Sequence, residues 1–123
     1  MGYILLVEDD KLSRQLLKDL LATQGYEVRE ANDGMEALQH AQAEKPALIL
    51  MDVMMPRVSG LDVAKQIIDY YRDNPPYLIF ISALGSVQDI EQGKLAGASD
   101  YIVKPFSPDA LLAKIKKAMT DRG

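Results

Sequence analysis

The sequence predicts an α/β domain in which helices cover both faces of a doubly wound, five-stranded parallel sheet. Two observations carry this prediction. Five short apolar runs, Tyr3–Val7, Glu27–Ala31, Ala47–Met51, Tyr77–Ser82 and Tyr101–Val103, alternate with five stretches of helical periodicity. Three of these runs, YILLV, ALILM and YLIFIS, are apolar at nearly every position, as strands are when a helix layer packs on each side. Strand and helix in repeated alternation imply parallel strands joined by right-handed crossovers.

Each helix carries its own punctuation. Leu12, Leu16, Leu17, Leu20 and Leu21 form one apolar stripe after the first strand, and Gly25 closes that helix. The second strand, EVREA, alternates in polarity and so fits a position nearer the sheet edge. Asp33 followed by Glu36 resembles a capping box opening the second helix. Ser59 can cap the third helix, which presents Leu61, Ala64, Ile67, Ile68 and Tyr71, and Asn74-Pro75-Pro76 forces its end. Ser86 can cap the fourth and Gly97 can end it. Gly93 inside that helix costs about 1 kcal/mol relative to alanine, which makes it the weakest of the five. Ser107-Pro108-Asp109 starts the fifth, with proline at the first helical position.

A chain of 123 residues is the size of one domain, expected to span 1–123, and buries roughly two thirds of its unfolded surface without staples. Cysteine is absent, which excludes disulfides, thiolate metal sites and thiol nucleophiles. Neither a secretory leader nor an apolar run long enough to span a bilayer is present, so a cytoplasmic protein without membrane contact is the simplest expectation. The formal charge of −4, from 18 acidic and 14 basic residues, argues against direct binding of nucleic acid, which needs a concentrated basic face. Lys114, Lys116, Lys117 and Arg122 cluster near the C-terminus as cations do in the last turns of a helix. His40, among alanine and glutamine, reads as a helix-surface residue.

In an open parallel sheet, ligands bind beyond the carboxyl ends of the strands, where strand order reverses. Glu8, Asp9 and Asp10 follow the first strand, Asp52 the third, Ser82 ends the fourth, and Lys104-Pro105 follows the fifth. Singly, each has a plain structural reading. Asp9 or Asp10 can cap a helix, Asp52 can make a turn, Ser82 can cap, and Lys104 can be a solvated charge. Together they suggest more. Three carboxylates converging on one crevice repel, and a hard divalent cation relieves that cost. A hydroxyl and an ammonium opposite them supply donors for an anion. These are the parts that phosphoryl transfer requires, because its catalysis is mostly positioning and charge neutralisation.

The motifs ILLVEDD (4–10), LILMDVMMPRVSG (48–60), FISA (80–83) and GASDYIVKPF (97–106), in this order and spacing, resemble the receiver domain of two-component response regulators, the CheY-like family, over essentially the whole chain. The resemblance implies a flavodoxin-like sheet of order 2-1-3-4-5 and Mg²⁺ as cofactor. It implies Asp52 as phosphoacceptor, with the metal held by Glu8, Asp9, Asp52 and the backbone carbonyl of Met54. Ser82 and Lys104 would hold the phosphoryl group, and the Lys104-Pro105 peptide would be cis. Asp10 is left out of this set as a helix-start residue. Tyr101 would be the switch residue, swinging into space vacated behind Ser82, with the fourth helix, fifth strand and fifth helix as the readout face.

The implied partners are a histidine kinase or histidine phosphotransfer protein and a downstream output domain or effector. Kinase specificity is expected on the first helix around Leu12–Lys18, and a phosphorylation-dependent homodimer is left open. Met54 and Leu84 occupy positions that influence attacking water in this family. Both are apolar, so slow self-dephosphorylation is expected, while small Ala83 leaves the donor free access. An aspartate-nucleophile phosphatase of the haloacid-dehalogenase kind would need a second aspartate where Met54 stands. A receiver-like interaction module that is never phosphorylated is the other alternative, although none of the key residues is lost. Whether the chain is a stand-alone receiver or the first domain of a longer regulator stays open.

Overall fold

The computed structural model describes residues 2–122, with side chains through Thr120. Met1, Gly123 and the side chain of Arg122, one member of the C-terminal basic group, lie outside the described residues. The strands are β1 (Ile4–Val7), β2 (Val28–Ala31), β3 (Leu48–Asp52), β4 (Tyr77–Ser82) and β5 (Asp100–Val103). The helices are α1 (Lys11–Thr23), α2 (Gly34–Ala43), α3 (Gly60–Tyr71), α4 (Val87–Leu95) and α5 (Pro108–Arg122). All pairings are parallel and the sheet order is β2-β1-β3-β4-β5, as expected. No helix among the described residues is long and apolar enough to cross a membrane.

The period of two along each strand divides the core between the sheet faces. Leu5, Val7, Ile49, Met51, Leu78 and Phe80 pack with Ala37 and Ala41 of α2 and Val63, Ala64 and Ile67 of α3. Ile4, Leu6, Leu48, Leu50, Ile79 and Ile81 pack with Leu17 and Leu21 of α1 and Leu111 and Ile115 of α5. Every residue of β1 and β3 is buried, whereas β2 is half-buried up to Ala31. This is the difference between central and edge strands that the alternation of EVREA signalled.

Several expectations need correction. Leu12 and Leu16 are exposed at 69% and 62%, while Leu17 and Leu21 are buried. The five leucines span about half the helix circumference at 100° per residue, wider than one sheet face can cover. Asp52 is the last residue of β3, paired with Ile81, rather than the first residue after it. The capping box at α2 is shifted. Asp33 accepts the Glu36 N–H as predicted, but the Glu36 carboxylate reaches back to the Asn32 N–H instead of Asp33. A reciprocal box forms at α4, between Ser86 and Asp89. Helix α3 stops at Tyr71, before the prolines, because Arg72 turns the chain at φ 53°.

The turn between β3 and α3 brings backbone against backbone. The Gly60 N–H donates to the Val53 carbonyl at 2.8 Å, and a Cβ at residue 60 would collide with the Asp52 carbonyl oxygen and stand 3.0 Å from the Val53 Cα. Neither obstacle is a side chain that could rotate away. Gly60→Ala is therefore expected to lower stability by about 2 kcal/mol, read as a fall in the urea midpoint at unchanged m-value.

Candidate functional site

Topology creates the site. The chain leaves β1 toward β2 on one side and returns to β3 on the other, so the carboxyl ends of β1 and β3 are neighbours at the reversal point. The register Val7↔Met51 then sets Glu8 beside Asp52. Both are buried, at 3% and 8% exposure, while Asp9 is exposed. Carboxylate oxygens of Glu8, Asp9 and Asp52 lie within 4.8 Å of one another. Such a set of hard oxygen donors suits Mg²⁺.

Lys104 arrives from the end of β5. Its Nζ donates to Glu8 Oε1 at 2.9 Å and to Asp52 Oδ2 at 3.1 Å. The ammonium is thus not opposite the acids, as the sequence suggested, but shared between two of them. The other oxygen of Asp52, Oδ1, accepts the Met54 N–H at 2.9 Å, so the carboxylate is oriented at both ends. The Lys104-Pro105 peptide is cis.

The charges perturb one another. Burial pushes the Glu8 carboxyl above its ordinary 4.5, and the Asp52 charge adds to the rise, while the bond from Lys104 pulls it partly back. Burial alone would lower Lys104, but the bonds and charges of Glu8 and Asp52 together outweigh it and hold the ammonium above 10.5. Asp10 stands apart. Its carboxylate caps α1 by accepting the Ser13 N–H at 2.8 Å, and that bond lowers its pKa.

Ser82 is fully buried, and its Oγ accepts the Leu84 N–H at 3.1 Å. The Leu84 carbonyl accepts the Tyr101 hydroxyl at 2.6 Å. Burial raises the Tyr101 phenol and the adjacent Ser82 hydroxyl partly offsets the rise. The Tyr101 ring is already inside, 8% exposed and 6.2 Å from the Phe80 ring. The space exists because α4 has no side chain there: a Cβ on Gly93 would stand 2.8 Å from the Tyr101 ring.

The structure thus gathers Glu8, Asp9, Asp52 and Lys104 into one cluster and places Ser82 with Leu84 and Tyr101 beside it. Sequence reasoning missed Arg14, whose guanidinium Nη1 donates to the Glu8 carbonyl at 2.7 Å. Nothing in the spacing of a single arginine on α1 signals that contact.

The sequence profile described as the response regulator receiver domain matches residues 4–116. The response regulator MprA of Mycobacterium leprae is 42% identical over 113 residues, which cover 92% of this chain and 49% of that protein. This chain therefore spans about half the length of such curated relatives. Among solved structures, the Francisella response regulator 1452 receiver domain superposes with a TM-score of 0.91 at 30% identity, covering all of both chains. The chemotaxis protein CheY4 of Vibrio cholerae gives a TM-score of 0.89 at 32% identity, covering 96% of this chain and 98% of that one. A family match across nearly the whole sheet, meeting an acidic cluster at its reversal point, places this chain among the receiver domains of two-component response regulators.

Proposed function

We propose that the chain works as a single phosphoacceptor unit that takes a phosphoryl group on Asp52 and signals by a change of conformation. The observation that carries this reading is the convergence of Glu8, Asp9 and Asp52 within 4.8 Å, with Lys104 bonded to the two buried members. The donor is the phosphohistidine of a histidine kinase or histidine phosphotransfer protein. An Asp52 oxygen attacks phosphorus in line, the P–N bond breaks, and the imidazole leaves with the bond's electron pair and takes up a proton.

Glu8, Asp9, Asp52 and the Met54 carbonyl would hold Mg²⁺, which supplies positive charge to the crowded carboxylate and phosphoryl oxygens when bound. The acyl phosphate carries more negative charge than the carboxylate it replaces. Lys104 then exchanges its bonds to the acids for the phosphoryl oxygens, and Ser82, whose Oγ accepts the Leu84 N–H, rotates to donate its O–H to them. Leu84 and Tyr101 respond because they share the same run of hydrogen bonds, and the surface of α4, β5 and α5 carries the change. The element is a switch rather than an enzyme with turnover. It acts in the cytoplasm on an output domain or effector, with no direct contact to nucleic acid or membrane.

Acetyl phosphate with Mg²⁺ should add the mass of one phosphoryl group to the wild-type protein, and Asp52→Asn or a chelator should abolish the gain. No mass change in the wild type, together with no response to beryllofluoride, would favour a receiver-like interaction module. Labelling of Asp52→Asn would remove Asp52 from its role.

Met54 and Leu84 offer apolar side chains that cannot orient a water. Phosphoryl-Asp52 is expected to decay over minutes or longer, followed by intact-mass measurement after removal of the donor. A lifetime of seconds contradicts this.

In chelator, Glu8→Gln should leave stability at neutral pH equal or higher by about 1 kcal/mol, since it removes a buried charge while Lys104 keeps Asp52. The folded pKa of Glu8 lies above its unfolded 4.5, so the folded wild type takes up that proton first as pH falls. Its ionised Glu8 therefore costs stability above the folded pKa and ceases to do so below 4.5. The advantage of the variant should shrink through that window in urea titrations run against pH.

A further inference from the structure

Building on the phosphoacceptor reading, we propose that Arg14 is a positioning residue for the cation site, locking the Glu8–Asp9 peptide so that Asp9 stays beside Glu8 and Asp52. The residue sits on α1 with its side chain 17% exposed. Its Nη1 donates to the Glu8 carbonyl at 2.7 Å, and its Nε donates to Glu30 Oε1 of β2 at 3.3 Å. The second oxygen of Glu30 takes Lys18 Nζ at 3.1 Å. A charge-assisted bond from a mostly desolvated guanidinium is among the stronger ones available. Glu8 is thereby fixed on both sides of its Cα, because its N–H also donates to the Ala31 carbonyl at 3.2 Å.

Asp9 is the exposed member of the trio and lies beyond the β1 ladder. The plane of the peptide before it largely sets where its Cα and side chain start. Arg14 holds that plane by its oxygen, and Glu30 holds Arg14. The carboxylate partner of Arg14 is on β2, so the guanidinium reaches the cation site through backbone.

Charge and position make opposite predictions. A guanidinium near three carboxylates opposes a cation, so deleting it should tighten Mg²⁺ binding if only its field matters. If it positions the loop, deletion should weaken binding. Titration calorimetry with MgCl₂ alone, on chelator-stripped protein at high ionic strength, separates the two because the field is then screened within a few ångströms. Arg14→Met is expected to bind Mg²⁺ about tenfold more weakly, the scale of a lost supporting partner around a metal site. Arg14→Lys should fall between, since one ammonium cannot reproduce the fork that spans Glu8 and Glu30.

Urea midpoints in chelator verify that the variants are folded. Should Arg14→Met not fold, Glu30→Ala removes the acceptor of the Arg14 Nε–H while leaving the guanidinium present, and should weaken Mg²⁺ binding in the same direction. Unchanged or tighter binding in Arg14→Met, or in Glu30→Ala where that variant stands in, overturns this inference alone. Wild-type protein that takes up no Mg²⁺ overturns the phosphoacceptor reading and this inference with it.

Discussion

The ammonium of Lys104, shared between Glu8 at 2.9 Å and Asp52 at 3.1 Å, is the interaction on which the site depends. Two carboxylates buried side by side at the ends of adjacent strands would otherwise face each other in a medium that screens poorly. The third acid, Asp9, is left at the surface, where water shares its cost. Three acids against one ammonium leave an excess of two negative charges when all are ionised, which a dication matches. The fold holds this cluster in place because β1, β3 and β5 each end at it, and their ladders cannot shift without breaking the core.

In the phosphoacceptor reading proposed above, the cluster exchanges partners at small net cost. Each bond that Lys104 makes to a carboxylate can be made to a phosphoryl oxygen instead, so net cost is set by the difference between anions rather than by the whole of either interaction. Ser82 differs, because its Oγ accepts a backbone N–H from Leu84, so a phosphoryl oxygen would take the hydroxyl's own proton rather than replace that N–H. A typical hydrogen bond contributes about 1 kcal/mol net. Leu84 is bonded through its N–H to Ser82 and through its carbonyl to Tyr101. One residue of loop therefore joins Ser82 to the edge strand through two bonds of that size.

The layer architecture was legible because fully apolar runs and helical periods obey the geometry of packing on a sheet: YILLV is buried throughout, and ALILM from Leu48 onward. The acids were legible because topology predicts where strand ends meet. Contacts that depend on side-chain reach were not. The stripe of α1 was read too wide, since periodicity tells which leucines share a side but not how far the sheet extends beneath them. Lys104 was expected opposite the acids, and only its actual reach shows it between them. Arg14 and the shifted Glu36 contact with Asn32 arise from long side chains choosing among nearby backbone groups. No spacing rule fixes that choice.

Gly93 joins these two levels. In the sequence it is a weak point, costing helix α4 about 1 kcal/mol. In the structure the missing side chain makes the space that Tyr101 fills, with the ring edge where a methyl would stand. The helix is fastened at its start by the reciprocal Ser86 and Asp89 cap and left thin where the ring lies. The backbone cost and the burial of the ring are thus one trade at one position. If Tyr101 leaves, α4 loses the packing that offsets its glycine, and if α4 shifts, the ring loses its wall. The switch proposed above would need no separate hinge, because the residue that weakens the helix is the residue that seats the tyrosine.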